Sequence, residues 1–146
     1  SEQLPANYQV VAVGKLSPGE VFSNKVLHVL ATDSIDKLRE MYSAADVFVN
    51  PTWQDNYPTV NLEAIACGTP VVTYRTGGSV ESITEKTGVV VEQGDVEAVL
   101  SAVRYIESKG KDYYRDNCRQ YAVKHFNKVE RYADYLQLYE EMLSEK

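Results

Sequence analysis

The sequence predicts an α/β fold: a Rossmann-like parallel sheet of about five strands, flanked by helices and followed by C-terminal helices. Three observations support this prediction. Apolar periodicity changes repeatedly along the chain between a strand-like and a helix-like pattern. The strand-like segments are rich in β-branched residues and nearly all apolar, which is typical of a parallel sheet covered on both faces. The 146 residues, 44% of them hydrophobic and 25% charged, are enough for one globular core.

Five short apolar runs are predicted to be strands, and turn-forming or polar residues follow each of them. They cover residues 8–13, 26–30, 46–50, 71–74 and 88–91. Helices are predicted between them from capping residues and 3.6-residue spacing. The first has its N-cap at Asp33-Ser34 and ends near Ala44 or Ala45, the next two cover residues 58–66 and 80–83, and a fourth is capped by Asp95.

The chain from Gly110 onward is predicted to be entirely helical, with two apolar stripes at helical spacing. The first stripe comprises Tyr114, Cys118, Tyr121 and Ala122, and the second Tyr132, Tyr135, Leu136, Tyr139 and Leu143. Tyrosines at such spacing indicate packing in the core or against another domain more often than a ligand platform.

The composition argues against several classes of protein. The chain has 15 Lys and Arg against 21 Asp and Glu, a net charge of −6, which disfavours nucleic-acid binding. No apolar stretch is long enough to cross a bilayer, and residues 1–3 do not resemble the start of a secretory signal. Cys67 and Cys118 are too few for a disulfide framework. These features predict a cytoplasmic chain without a transmembrane segment.

The loop after the third predicted strand, residues 51–58, is the richest candidate for a binding site. In open α/β sheets, ligands bind beyond the carboxyl ends of the strands, where helices begin. Tyr57 precedes a proline and resists helical dihedrals, whereas Pro58 suits the first helical position. The N–H groups of Thr59 and Val60 would then lack partners within the helix. Free amides together with the helix dipole favour a phosphate or diphosphate.

Two carboxylates flank this predicted anion site, Asp55 in the loop and Glu63 in the helix, with seven residues between them. A carboxylate beside a phosphate is unfavourable unless it has another task, and hydrogen bonding to vicinal hydroxyls of a sugar is the natural one. The pattern therefore indicates a nucleotide sugar. Glu63 could instead be a first-turn carboxylate favoured by the helix dipole, and Asp55 a plain loop residue. A glycine pair, Gly77-Gly78, would allow backbone to approach a ligand closely.

Several longer segments carry a resemblance to a known family. They are Tyr42-Ser-Ala-Ala-Asp46-Val-Phe-Val-Asn-Pro51, Asp55-Asn-Tyr-Pro-Thr-Val-Asn-Leu-Glu63-Ala-Ile-Ala-Cys-Gly-Thr-Pro70, Thr76-Gly-Gly78 with Glu81, and Gly88-Val-Val-Val91. This pattern resembles the donor-binding C-terminal domain of the retaining group 1 (family 4-like) glycosyltransferases, which have the two-domain GT-B fold. The resemblance covers roughly residues 8 to 107.

The resemblance implies a role for each matching residue. Glu63 would hold the ribose hydroxyls of the donor, and Asp55 would contact the transferred sugar near its 3-hydroxyl. The backbone amides of Asn56, Tyr57, Thr59 and Val60 would grip sugar and diphosphate, with Gly77 and Gly78 near the same cleft. Such enzymes transfer a sugar with retention and usually need no metal. Their main catalytic contribution is electrostatic stabilisation of the departing nucleoside diphosphate. No His, Cys and carboxylate cluster here has metal spacing, and no cofactor is expected.

Three departures from the family pattern are visible. The first acid is Asp55 where Glu is usual, and Asn56-Tyr57-Pro58 replaces a glycine-aromatic-glycine segment, which removes one amide donor. The strand and helix that carry the family's basic pair have no counterpart before Tyr8, and Lys15 does not match that pair.

Residues 1–146 are accordingly expected to form a single donor-binding domain, truncated at its N-terminal side and inactive alone. The expected partners are a nucleoside diphosphate sugar and, through a missing N-terminal domain, an acceptor sugar or lipid-linked glycan. The full-length protein could then sit peripherally at a membrane. The alternative is a non-catalytic donor domain or an interaction module that binds no nucleotide.

Overall fold

Strands and helices alternate as the sequence predicts. A computed structural model describes residues 4–16, 19 and 21–144, and residues 1–3, for which no secretory signal was expected, lie outside this part. In chain order the elements are β1 (Val10–Val13), β2 (Val26–Val29), α1 (Ile35–Ala44), β3 (Phe48–Asn50), α2 (Thr59–Ala66), β4 (Val71–Tyr74), a 3₁₀ turn (Gly77–Val80), β5 (Gly88–Val91), α3 (Val96–Lys109), α4 (Lys111–His125) and α5 (Lys128–Ser144).

All strand pairs are parallel, which confirms the α/β class with parallel strands flanked by helices. The five strands form two sheets, β1-β2 and β3-β4-β5. In the first, Val10 lies opposite Val26. In the second, Val71 of the central strand lies opposite Phe48 on one side and Gly88 on the other. The chain correspondingly divides into two compact units, residues 1–40 and 41–146, and the division falls within α1.

The first unit contains the β1-β2 sheet. The N–H of Gly14 donates to the carbonyl of Val29 at 3.0 Å and extends the ladder by one bond. His28 Nε2 lies 2.8 Å from the carbonyl oxygen of Gly14, and the imidazole ring contacts Phe22, with 5.5 Å between ring centroids. These contacts give His28 a structural role within its own sheet.

The core of the second unit lies around β4, whose four residues are all buried because a strand flanks it on each side. Helix α4 packs on α2 and α3, and three residues of the first apolar stripe are buried: Tyr114, Cys118 and Ala122. Arg119 Nη1 also donates to the carbonyl of Ala66 at the end of α2. The first predicted stripe is therefore a core stripe.

The second stripe behaves differently. Helix α5 has no buried residue, and its apolar side chains are mostly exposed, from Leu138 at 48% to Val129 at 76%. This face of α5 has no packing partner in the part of the chain that is described. No helix in that same part is long and apolar enough to cross a membrane.

Two local predictions are wrong in detail. The short helix expected over residues 80–83 is a 3₁₀ turn over Gly77–Val80, since Gly77 adopts a φ of +43° that starts the turn earlier. Pro58 precedes the first helical residue of α2 as its N-cap, because its ψ of 111° is extended. By contrast, the Asp95 cap is confirmed: its carboxylate accepts the N–H of Ala98 at 2.8 Å.

Candidate functional site

The loop between β3 and α2 is tied to neighbouring strand ends by side-chain hydrogen bonds. The carbonyl of Trp53 accepts bonds from Thr76 Oγ1 at 2.9 Å and Gln93 Nε2 at 2.7 Å, which follow β4 and β5. At the start of the loop, Asn50 Nδ2 donates to Asn61 Oδ1 in α2 at 2.9 Å. The loop is therefore held at the carboxyl ends of all three strands of this sheet, where α/β proteins bind ligands.

Asp55 uses one carboxylate oxygen within the loop itself. Its Oδ1 accepts the N–H of Tyr57 at 3.1 Å, which is an Asx turn. This bond orients the half-buried carboxylate and occupies the Tyr57 amide, one of the amides expected to face a ligand. Sequence reasoning missed the turn, although an aspartate two residues before the donor amide is the pattern typical of it.

The first turn of α2 carries unpartnered amides. The N–H of Asn61 donates to the carbonyl of Pro58 at 3.1 Å, whereas no bond to the N–H of Thr59 or Val60 is found among the described residues. Pro58 has no side-chain donor or acceptor to cap the helix, and the first turn contains no acidic residue. Within the first turn itself, therefore, no acidic side chain compensates the positive end of the helix dipole.

Glu63 lies one turn further into α2. The reading of Glu63 as a first-turn carboxylate does not fit, because the helix starts at Thr59 and its first turn is free of acids. Instead, Glu63 Oε2 accepts a hydrogen bond from the hydroxyl of Tyr42 at 3.2 Å. Tyr42 is only 9% exposed, and its ring packs edge-on against Phe48 with 5.3 Å between centroids.

Burial raises the pKa of Tyr42 well above its usual value, and the negative charge of Glu63 and the hydrogen bond to it raise that pKa further. The hydroxyl consequently stays protonated and remains the donor toward Glu63. Sequence reasoning did not select Tyr42. It stands within the segment that carries the family resemblance, but nothing in one sequence indicates its contact with residue 63.

The 3₁₀ turn packs directly on the site loop. A Cβ atom added to Gly77 would collide with the carbonyl oxygen of Asp55, and one added to Gly78 with that of Asn56. The glycine pair is therefore explained by close approach to the loop backbone. The turn and α2 are also connected, since Asn61 Nδ2 donates to the carbonyl of Ser79 at 3.5 Å.

Glu81 follows this turn and lies close to it. Its Oε1 would be 3.3 Å from a Cβ at Gly78, and its charge contributes to raising the pKa of Tyr57, after burial and Tyr121. The structure thus brings Asp55, Asn56, Gly77, Gly78 and Glu81 together. It places Glu63 with Tyr42, and no hydrogen bond joins Asp55 to Glu63 in the described residues.

Trp53 marks the outer side of the loop. Its ring is 65% exposed, with one edge on Tyr74 at 6.2 Å between centroids and its outermost carbon 3.4 Å from where a Gly94 Cβ would lie. No group of three or more His, Cys, Asp or Glu side chains suited to a metal ion is found in the described part of the chain.

Fold and site together define a Rossmann-like domain of the GT-B type. A solved sucrose-phosphate synthase from Thermosynechococcus elongatus superposes with a TM-score of 0.79 at 26% identity, covering 94% of this chain and 39% of that one. HepE of Anabaena, solved in complex with UDP, superposes with a TM-score of 0.76 at 21% identity, covering 92% of this chain and 42% of HepE.

Residues 2–108 match the family described as glycosyl transferases group 1. Because this match covers more than half of the 146 residues, the chain belongs to that family.

Among sequence relatives, a sulfoquinovosyl transferase from Arabidopsis thaliana is 40% identical over 73 residues, 47% of this chain and 14% of that protein. A D-inositol 3-phosphate glycosyltransferase from Geodermatophilus obscurus is 38% identical over 82 residues, 56% of this chain and 18% of that protein. A GDP-mannose-dependent alpha-(1-6)-phosphatidylinositol monomannoside mannosyltransferase from Mycolicibacterium smegmatis is 40% identical over 86 residues, 52% of this chain and 22% of that protein. The matches span about a fifth or less of two of these relatives, and 22% of the third.

Proposed function

We propose that this chain binds a nucleoside diphosphate sugar and serves as the donor-binding part of a retaining glycosyltransferase. The observation that carries the proposal is the uncapped, acid-free first turn of α2 between two oriented carboxylates, Asp55 and Glu63. Unpartnered amides and the helix dipole favour a diphosphate, and carboxylates favour sugar hydroxyls. Relatives and neighbours support it: one is GDP-mannose-dependent, and HepE has been solved with UDP and with UDP-glucose.

The diphosphate would lie against the N–H groups of Thr59 and Val60, with the amide of Asn56 beside them. These donors would stabilise the charge that develops on the nucleoside diphosphate as its bond to the sugar breaks. The Tyr57 amide joins them only when a ligand displaces Asp55 Oδ1, to which it donates in the structure. The proposed diphosphate site therefore has one free N–H donor fewer than the family resemblance implies.

The two carboxylates would divide the hydroxyl groups between them. Asp55 has Oδ1 engaged with its own loop, so Oδ2 is the oxygen we assign to the transferred sugar. Glu63 has Oε2 engaged with Tyr42, so Oε1 is the oxygen we assign to the ribose. Gly77 and Gly78 act indirectly, since they hold the carbonyls of Asp55 and Asn56 in place. The acceptor, a cytoplasmic location and any peripheral membrane position stay predictions.

Isothermal titration calorimetry with UDP, GDP and ADP tests the proposal. We expect one of the three to bind, and Glu63→Gln to weaken that nucleotide about tenfold or more, because a hydrogen bond to a charged group contributes about 1.5–3 kcal/mol. The Gln variant retains an acceptor for Tyr42, so stability should change little. Glu85→Ala, which removes an exposed carboxylate from the same unit, is the control for net charge.

The opposite outcome is equally clear. If none of the three nucleotides binds at millimolar concentration while the chain remains folded, the donor-binding proposal is wrong. The chain would then be an interaction module, the alternative that the sequence left open.

A further inference from the structure

The hydroxyl of Tyr42 is a donor held in one place. Its carrier helix, α1, is fixed near its end because the Tyr42 carbonyl accepts Thr69 Oγ1 at 2.6 Å and the Ala44 carbonyl accepts Lys111 Nζ at 3.1 Å. The ring itself is buried and packed edge-on against Phe48. A phenol side chain has few rotatable bonds, and burial together with the contact on Phe48 restricts the position of its ring.

Glu63 is the flexible partner in this pair. A glutamate side chain has three rotatable bonds, and ordering it on ligand binding costs conformational entropy. The bond from Tyr42 to Oε2 removes part of that freedom in advance, while Glu63 remains half-buried and open to solvent.

We infer that Tyr42 is a positioning residue for nucleotide binding: its hydroxyl holds Glu63 Oε2 so that Oε1 faces the ribose. This inference rests on the proposed function, because it presumes that Glu63 receives ribose hydroxyls. Tyr42 would touch no ligand atom and would act only through Glu63. The burial that raises its pKa keeps the phenol protonated, so the orientation persists through the physiological pH range.

The test compares a ribonucleotide with its 2′,3′-dideoxy form, using whichever of UDP, GDP and ADP binds the wild-type chain. Tyr42→Phe retains the ring against Phe48 and removes only the hydroxyl. We expect it to weaken the ribonucleotide about 3- to 10-fold, the effect of one lost hydrogen bond, and to leave the dideoxynucleotide unchanged. In a Glu63→Ala background, Tyr42→Phe should cause no further loss, because no side chain remains at position 63 for the hydroxyl to orient.

Tyr114→Phe is the matched control. Tyr114 is also buried, but its hydroxyl has no hydrogen-bond partner among the described residues, so removing that oxygen should change the affinity for neither nucleotide. Equal weakening of both nucleotides by Tyr42→Phe would show a structural role and overturn the inference. So would unchanged binding of the ribonucleotide. A wild-type chain that binds no nucleotide would instead overturn the proposed function, and the inference with it.

Discussion

Gly78→Ala is the sharpest perturbation of the site that the structure allows. Gly78 does not have a positive φ, so alanine suits its backbone, and any effect must come from the added methyl group. That methyl would overlap the carbonyl oxygen of Asn56 and lie 3.0 Å from its carbon. Real Cβ atoms essentially never come within 3.0 Å of another heavy atom, as this one would with the carbonyl oxygen. Either the loop or the turn must therefore move.

The required displacement is about 1.5–2 Å, since the overlap with the carbonyl oxygen must open to a relaxed contact of roughly 3.5 Å. Forcing a methyl group into a packed contact costs about 1–3 kcal/mol of unfolding free energy. A displacement of about 1 Å at a binding site can cost up to 100-fold in function. We therefore expect Gly78→Ala to lower the free energy of unfolding by about 1–3 kcal/mol. We expect it to weaken nucleotide binding by about tenfold or more.

Urea denaturation measures the loss of stability, and calorimetry with the nucleotide that binds the wild-type chain measures the loss of affinity. Gly110→Ala is the control: its φ is +87°, but among the described residues no atom beyond its chain neighbours lies within 4 Å of the added Cβ, so it carries the backbone penalty without a collision. Gly110→Ala should lower stability by about 1–3 kcal/mol, because φ +87° with ψ 149° is adopted essentially by glycine alone, and should leave affinity unchanged. Wild-type stability and affinity in Gly78→Ala would show that the turn does not support the loop as described.

Two further predictions concern the second unit. Burial raises the pKa of the Cys118 thiol from its usual 9.0 to about 12. In a Cys67→Ala variant, a thiol reagent at pH 8 should therefore modify Cys118 only after unfolding. Rapid modification of the native chain would contradict the burial of this thiol. Because the folded pKa is the higher one, the stability that this thiol contributes is complete below pH 9 and is lost as the pH rises toward 12. Cys118→Ala should therefore lose less stability over this range than wild type, and the remaining loss comes from buried tyrosines with raised pKa values, such as Tyr114. Asp95→Ala should cost about 1 kcal/mol in urea denaturation by removing the cap on Ala98. Asp112→Ala, at the uncapped start of α4, should cost less, and equal losses would argue against a specific cap.

Local interactions explain how much of the fold could be predicted. The strands β4 and β5 and the cap at Asp95 follow from neighbouring residues, through β-branched runs and a side chain that meets an amide three positions on. The loop and the start of α2 were also visible, because proline restricts the residue before it and favours a helix start. Asp55 and Glu63 were candidates for the same reason: the pattern lies within one short segment.

Other features depend on which segments meet in space. Only the folded chain shows that Tyr42 meets Glu63, that Gly77 and Gly78 lie against residues 55 and 56, and that Asp55 binds the Tyr57 amide. The two C-terminal stripes have the same helical periodicity, yet the one in α4 is mostly buried and the one in α5 is exposed. The periodicity of a sequence indicates which residues share a face of a helix or strand. A hydrogen bond or a buried contact also needs a partner residue. In most of these cases the partner lies about twenty or more positions away in the sequence, so only folding brings the two together.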